Sequence, residues 1–165
     1  MTQSHRIWNL AQQIVDKAGA DGLMLAAAES CTGGLVSSAI TDVPGASAVF
    51  DRGFVTYSNE AKSELLGVAP QLIARRGAVS QAVARAMAAG AIKNSRADIA
   101  VSITGIAGPA GGSDKKPVGL VWFGLATRGG ASRVERRVFA FGDRNFVRMR
   151  ASETALSLIL SALRN

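Results

Sequence analysis

Apolar residues recur at helical spacing from Ser4 to Lys17, where Ile7, Trp8, Leu10, Ala11, Ile14 and Val15 share one face before the pattern stops at Gly19. This predicts an amphipathic helix. The short apolar run Leu23 to Ala28 leads into Glu29-Ser30-Cys31-Thr32-Gly33-Gly34, after which Leu35 to Ile40 resumes helical periodicity: a strand, a tight polar turn, a helix. Ala48 to Tyr57, with Val49, Phe50, Phe54 and Val55, predicts a second strand, and Ser58-Asn59 caps a helix that runs through Leu66-Gly67. Pro70 to Arg76 and Ser80 to Lys93 predict two further helices, the second rich in alanine. The β-branched run Ile99 to Ile103 ends in a second glycine-rich loop, and no helical pattern follows it directly. Val118 to Thr127 and Arg133 to Phe141, joined through Gly129-Gly130, read as a hairpin, and Arg144 to Leu163 as a closing helix. Helices flanking three or four short strands, some linked through helices and two by a hairpin, predict an α/β fold: a three-layer α/β/α sandwich with a mixed central sheet, one domain over residues 1–165.

Composition narrows the chemistry. A chain of 165 residues buries roughly 68–70% of its unfolded surface, so its core needs neither disulfide nor structural metal. His5 and Cys31 are the only imidazole and thiol, which excludes a Cys/His zinc site and leaves a histidine-based triad dependent on a residue near the N-terminus. A lone cysteine and no signal peptide point to the reducing cytoplasm, and no apolar stretch is long enough to span a bilayer. The net charge is +7, and seven arginines between Arg128 and Arg150 meet only Glu135 and Asp143 in that stretch. Such a stretch is a solvated face, an anion site or a contact with an acidic partner. Aromatics make up 5% of the chain and do not interleave with the arginines, so the stacking platform of a nucleic-acid binder is missing.

Standard signatures are absent: the loop around Gly108 to Gly112 lacks the Lys-Ser/Thr ending of a P-loop, and Ser30 is not in a G-x-S-x-G elbow. What remains is a serine with no histidine to activate it. Its hydroxyl needs another base, and Tyr57-Ser58-Asn59-Glu60-Ala61-Lys62 offers a tyrosine and a lysine. In the first turn of a helix, Lys62 feels a dipole that disfavours its ammonium by about 0.3–1 kcal/mol. Lowering its pKa from about 10.4 to about 7–8 takes near 4 kcal/mol, so burial or a neighbouring cation must supply most of the shift. The alternative is a surface lysine with its stem laid along the helix. Ser30 itself is either an N-cap in a tight turn or a nucleophile whose oxyanion is held by N–H groups near Gly33-Gly34. Cys31 is the rival nucleophile, or a small buried thiol. The Thr104 to Gly119 loop either is simply exposed or lets a ligand approach its backbone, with Lys115, Lys116 and Arg144 as cationic contacts for a phosphate.

Five segments together resemble the CinA C-terminal domain family: Ala28-Glu29-Ser30-Cys31-Thr32-Gly33-Gly34, Tyr57-Ser58-Asn59-Glu60-Ala61-Lys62, Gly77-Ala78-Val79-Ser80, Thr104-Gly105-Ile106-Ala107-Gly108-Pro109 and Lys116-Pro117-Val118-Gly119. The resemblance spans nearly the whole chain and is to the stand-alone amidohydrolase form. It implies hydrolysis of the carboxamide of nicotinamide mononucleotide to nicotinate mononucleotide and ammonia in pyridine nucleotide (NAD) salvage, with no metal and no organic cofactor. Carried onto this chain, it implies Ser30 as nucleophile, Lys62 as its base, and Tyr57 and Thr104 as proton relays or substrate contacts. Thr32, Gly33, Gly34, Gly105, Gly108, Lys116 and Arg144 would hold the nucleotide. The expected partner is that small molecule rather than nucleic acid or membrane, and a homodimer is expected because closed two-fold assemblies are the commonest. The competing class is a non-catalytic nucleotide-binding or competence/DNA-damage adaptor, suggested by the family's name and the arginine stretch.

Overall fold

The computed structural model describes residues 3–164. In chain order they form α1 (Gln3–Asp21), β1 (Leu25–Glu29), α2 (Leu35–Thr41), a 3-10 turn (Ala46–Ala48), β2 (Phe50–Val55), α3 (Asn59–Leu66), α4 (Pro70–Arg76), α5 (Gln81–Lys93), β3 (Ile99–Gly105), β4 (Leu120–Thr127), β5 (Ser132–Val138) and α6 (Arg144–Ala162). The strands lie in the order β2-β1-β3-β4-β5. β1 runs parallel to β2 and β3, and β4 antiparallel to β3 and β5, so the sheet is mixed as the pattern predicts but has five strands rather than three or four.

Boundaries moved where backbone geometry overrides composition. α1 continues through Gly19 to Asp21, and Gly22 (φ 65°) supplies the left-handed residue that ends it, with Leu23 N donating to Ala18 O. β5 stops at Val138, short of Phe141, whose φ of 63° does not fit a strand.

Side chains alternate across the sheet and build two cores. Leu25, Ala27, Val101, Ile103, Val121 and Phe123 pack under α1, α2 and α6. Ala26, Ala28 and Ala100 face α3, α4 and α5. The second face is made of small residues because α5 sits hard against it: Ser102 Oγ donates to Ala84 O at 2.6 Å, and a Cβ on Gly124 would run into that same carbonyl. Gly90 likewise lets α5 touch the Leu66 carbonyl of α3, which fixes α3 over the sheet edge. The chain leaves β1, β2 and β3 at one common edge, carrying Ser30, Thr56-Tyr57 and Thr104-Gly105 there together. No helix among the described residues is long and apolar enough to cross a membrane.

Candidate active site

Ser30 follows β1 directly and stays in the sheet's register, its N–H donating to Ile103 O at 3.0 Å. Across the edge, Thr56 N donates to Glu29 O at 2.8 Å and turns the chain into α3, whose N-cap Ser58 accepts from Ala61 N at 3.0 Å. That turn aims Lys62 back under the sheet edge, where only 1% of it is exposed. Its Nζ lies 3.2 Å from Ser30 Oγ, 2.9 Å from Thr56 O, 3.3 Å from Tyr57 O and 3.4 Å from Ser58 O. Burial holds its pKa below the ordinary 10.5 of lysine, against the opposing pull of Cys31 and Glu60. A solvated surface lysine is therefore ruled out. The neighbouring Cys31 thiol is pushed up to about 12 by its own burial, so it stays protonated near neutral pH.

Ser30, Lys62, Tyr57, Thr104, Gly105 and Arg144 line one cavity of about 210 Å³, joined by Asn59 and the Ala78-Val79 segment. Within it Arg144 is already engaged, its guanidinium donating to Gly108 O at 2.8 Å and to Tyr57 Oη at 3.0 Å. Thr104 Oγ1 donates to Ala78 O at 2.9 Å. No hydrogen bond joins Tyr57 Oη or Thr104 Oγ1 to Ser30 or Lys62 among the described residues, so no proton relay through them is in place.

The other expected contacts do not line this cavity. Gly33 N donates to Ser30 O at 3.1 Å, and Gly34 N to the Glu29 carboxylate at 3.0 Å, so neither N–H is open to an oxyanion. Thr32 is fully buried with its hydroxyl unpartnered. Gly108 (φ 80°) presents only its carbonyl, to Arg144, and a Cβ there would strike Val118. Lys116 Nζ donates to Arg76 O at 2.8 Å in a neighbouring groove. In the turn from Ser30 to Leu35 the N–H of Thr32 has no acceptor among the described residues, and that of Cys31 none beyond its own Sγ. Nor do the described residues gather three or more His, Cys, Asp or Glu side chains as metal ligands.

Two residues that shape the turn were not singled out from the sequence. Glu29, fully buried, accepts from the N–H groups of Gly34, Val36 and Ser37 and from Ser37 Oγ. Its signal was parity: Leu25, Ala27 and Glu29 share a strand face, so the carboxylate had to enter the core. Arg148 donates to Cys31 O at 3.1 Å and to Thr32 O at 3.0 Å. Because the C=O and N–H of a trans peptide oppose one another, gripping the Cys31 carbonyl turns the Thr32 N–H away from Arg148. Arg148 stands four residues after Arg144 on α6, so one helix face serves both the cavity wall and the turn. Arg148→Met is expected to leave KM within about threefold and to lower kcat about 10–100-fold, as the turn that carries Ser30 and Cys31 loses its fixed aim. An unchanged kcat in steady-state kinetics would remove Arg148 from that role.

The arginine stretch does not form one face. Arg128 donates to the Ala97, Ile92 and Ser95 carbonyls, Arg150 pairs with Glu153, and Arg137 with Glu135, while Arg144 and Arg148 serve the site.

A mixed five-stranded sheet covered by helices on both faces, with a serine hydroxyl set against a buried lysine at its edge, is the class that fold and site define. The chain belongs to the CinA C-terminal domain family, whose model matches residues 8–163. It is 51% identical over 159 residues to the nicotinamide-nucleotide amidohydrolase PncC of Escherichia coli K12, covering 96% of this chain and 95% of that protein. A putative competence-damage inducible protein of Caldicellulosiruptor bescii is 55% identical over 138 residues, which are 83% of this chain and 33% of that longer protein. Among solved structures, the competence/damage inducible protein CihA from Agrobacterium tumefaciens superposes with a TM-score of 0.94 at 46% identity, covering 97% of this chain and 96% of that one.

Proposed function

We propose that the protein hydrolyses the carboxamide of nicotinamide mononucleotide to nicotinate mononucleotide and ammonia, in pyridine nucleotide salvage, with Ser30 as nucleophile and Lys62 as its base. The observation that carries the mechanism is the 3.2 Å approach of the buried Lys62 Nζ to Ser30 Oγ. The name carried by the E. coli relative supports the substrate.

Burial favours the uncharged amine. Two of its hydrogens go to the carbonyls of Thr56 and Tyr57, which turns the nitrogen lone pair toward Ser30. Lys62 takes the hydroxyl proton as Ser30 Oγ attacks the carboxamide carbon. The carbonyl oxygen becomes an oxyanion and is received by the N–H of Cys31, which lines the cavity, a donor of this kind contributing about 2.7–4 kcal/mol in transition states of acyl transfer. Lys62 then returns its proton to the leaving nitrogen and ammonia departs. In the second half, water gives a proton to Lys62 and attacks the acyl ester; the tetrahedral adduct collapses, Ser30 regains its hydrogen and the carboxylate product leaves. No group outside the chain, its substrate and water enters these steps.

Incubation of the purified protein with nicotinamide mononucleotide is expected to release ammonia and a product one mass unit heavier than the substrate. Binding of the nucleotide without ammonia release would instead favour the adaptor reading, in which the serine and lysine are structural.

A further inference from the structure

The 210 Å³ cavity is not the only opening at this edge of the sheet. Beside it lies a groove of about 780 Å³ between α4, the start of α5, β4 and β5. Among the described residues six cationic side chains line it, Arg75, Arg76, Arg85, Lys115, Lys116 and Arg136, and no carboxylate does. Arg76, Arg85, Lys115 and Arg136 donate from their side chains to no protein acceptor among the described residues, unlike Arg144 and Arg148. Like charges gathered without counterions repel, so an arrangement of this kind is stabilised by an anion. The first turn of α5, Ser80 to Ala82, also lines the groove and adds the positive end of its dipole.

Sheet register ties this groove to the reacting serine. Thr104 pairs with Trp122, and Trp122 with Arg136, all on the face toward α5. Ser30 bonds to β3 one residue before Thr104, so the row runs Ser30, Thr104, Trp122, Arg136. Two inter-strand steps of about 4.8 Å place the Arg136 backbone about 10 Å from that of Thr104. Val79 lines both openings.

We propose that the groove is the phosphate subsite of this active site: it takes a phosphate monoester carried on the amide substrate, gripped by Arg85, Arg136 and Lys115 while the carboxamide reaches Ser30. The inference rests on the amide-hydrolysis reading and shifts the grip on the phosphate from Arg144, which lines the smaller cavity, and from Lys116, which lines the groove but already donates to Arg76 O, to cations without a protein acceptor. A small cavity at the nucleophile then suffices, because only the carboxamide end has to enter it.

The test is Arg85→Gln with Arg136→Gln in the full chain. Neither arginine has a side-chain hydrogen-bond or ion-pair partner to orphan among the described residues, so the thermal midpoint should hold. KM for nicotinamide mononucleotide is expected to rise about tenfold or more with kcat within about threefold, since charge-assisted contacts to phosphate are lost and the reacting groups are not. The preference for the mononucleotide over unphosphorylated nicotinamide riboside, as a ratio of kcat/KM, should shrink by a similar factor. Inorganic phosphate should compete with the mononucleotide in the parent, and about tenfold more weakly in the variant. Unchanged KM and phosphate inhibition would overturn the subsite, and so would phosphate inhibition that is not competitive, which marks a separate effector site. Should the parent release ammonia from neither substrate, the amidase reading itself fails. Phosphate titration followed by Trp122 fluorescence in a Trp8→Phe background then decides the groove: no charge-dependent response overturns it.

Discussion

Replacement of Ser30 by Ala, or of Lys62 by Met, is expected to lower kcat on nicotinamide mononucleotide by a factor on the order of 10³ or more while the fold persists. The two losses should not multiply. If one proton transfer links them, the double variant is about as inactive as either single one, because removing either member disables the same step. Full activity in Ser30→Ala with loss in Cys31→Ala would move the nucleophile by one residue, an outcome disfavoured by a thiol pushed up to about 12.

The pH dependence follows from the sign of the lysine shift. Lys62 titrates below the usual 10.5, so kcat/KM for the parent should rise with pH through that lowered value and level off before an ordinary lysine would lose its proton. The same shift acts on stability. Between the lowered folded value and 10.5 the unfolded chain holds a proton at this position that the folded chain does not, so stability conferred at Lys62 grows as pH rises through that window. Thermal midpoints of parent and Lys62→Met should therefore diverge in the parent's favour toward alkaline pH. A fixed difference across that range would mean that the amine is equally charged in both states.

Why the serine–lysine pair was legible while its surroundings were not is a matter of what short-range pattern encodes. The sequence reading of Pro70–Arg76 matches the helix to the residue, with Pro70 opening it and Gly77 following, and Ser58 caps as expected because N-cap chemistry is local, while Ser80, read as the first helical residue, turns out to be a cap of the same kind. The end of α1 was misplaced because Gly19 and Gly22 are alike in sequence, and only Gly22 adopts the left-handed geometry that stops a helix. The motif residues Ser30 and Lys62 stand out as a hydroxyl and an amine without histidine, but Ser30 meets Lys62 only through the parallel β1–β2 pairing. Gly33 and Gly34 announce a turn without saying which way its N–H groups point; that is set by Glu29, whose side chain enters the core from the last residue of β1, and by Arg148, from a helix position 117 residues beyond Cys31. The arginine stretch misled for a related reason. Strand alternation sends Arg136 toward α5 and Arg137 to the opposite face, so neighbours in sequence part company in space.

Glu29→Gln is expected to destabilise the protein far more than a change of two atoms suggests. One carboxylate oxygen accepts from Gly34 N and Val36 N, and the other from Ser37 N and Ser37 Oγ. A glutamine amide keeps one acceptor oxygen and sets an NH₂ donor against the other pair. Directed at Gly34 and Val36, its oxygen preserves those bonds, and Ser37 Oγ can rotate to accept from the NH₂. Ser37 N has no such freedom and is left facing a donor in a buried site. The orphaned N–H costs about 1–3 kcal/mol, and exchanging a charged acceptor for a neutral one weakens the surviving bonds, for a total of about 3 kcal/mol. In a domain of this size that is a fall in thermal midpoint of about 6–12 °C. Glu29→Ala, which orphans three N–H groups at once, should cost more. Because Ser30 follows Glu29 directly, kcat should fall with the midpoint even at temperatures where the variant is fully folded by circular dichroism. A Glu29→Gln protein that melts with the parent would show that the α2 N-terminus and the Ser30 turn are held by something other than this carboxylate.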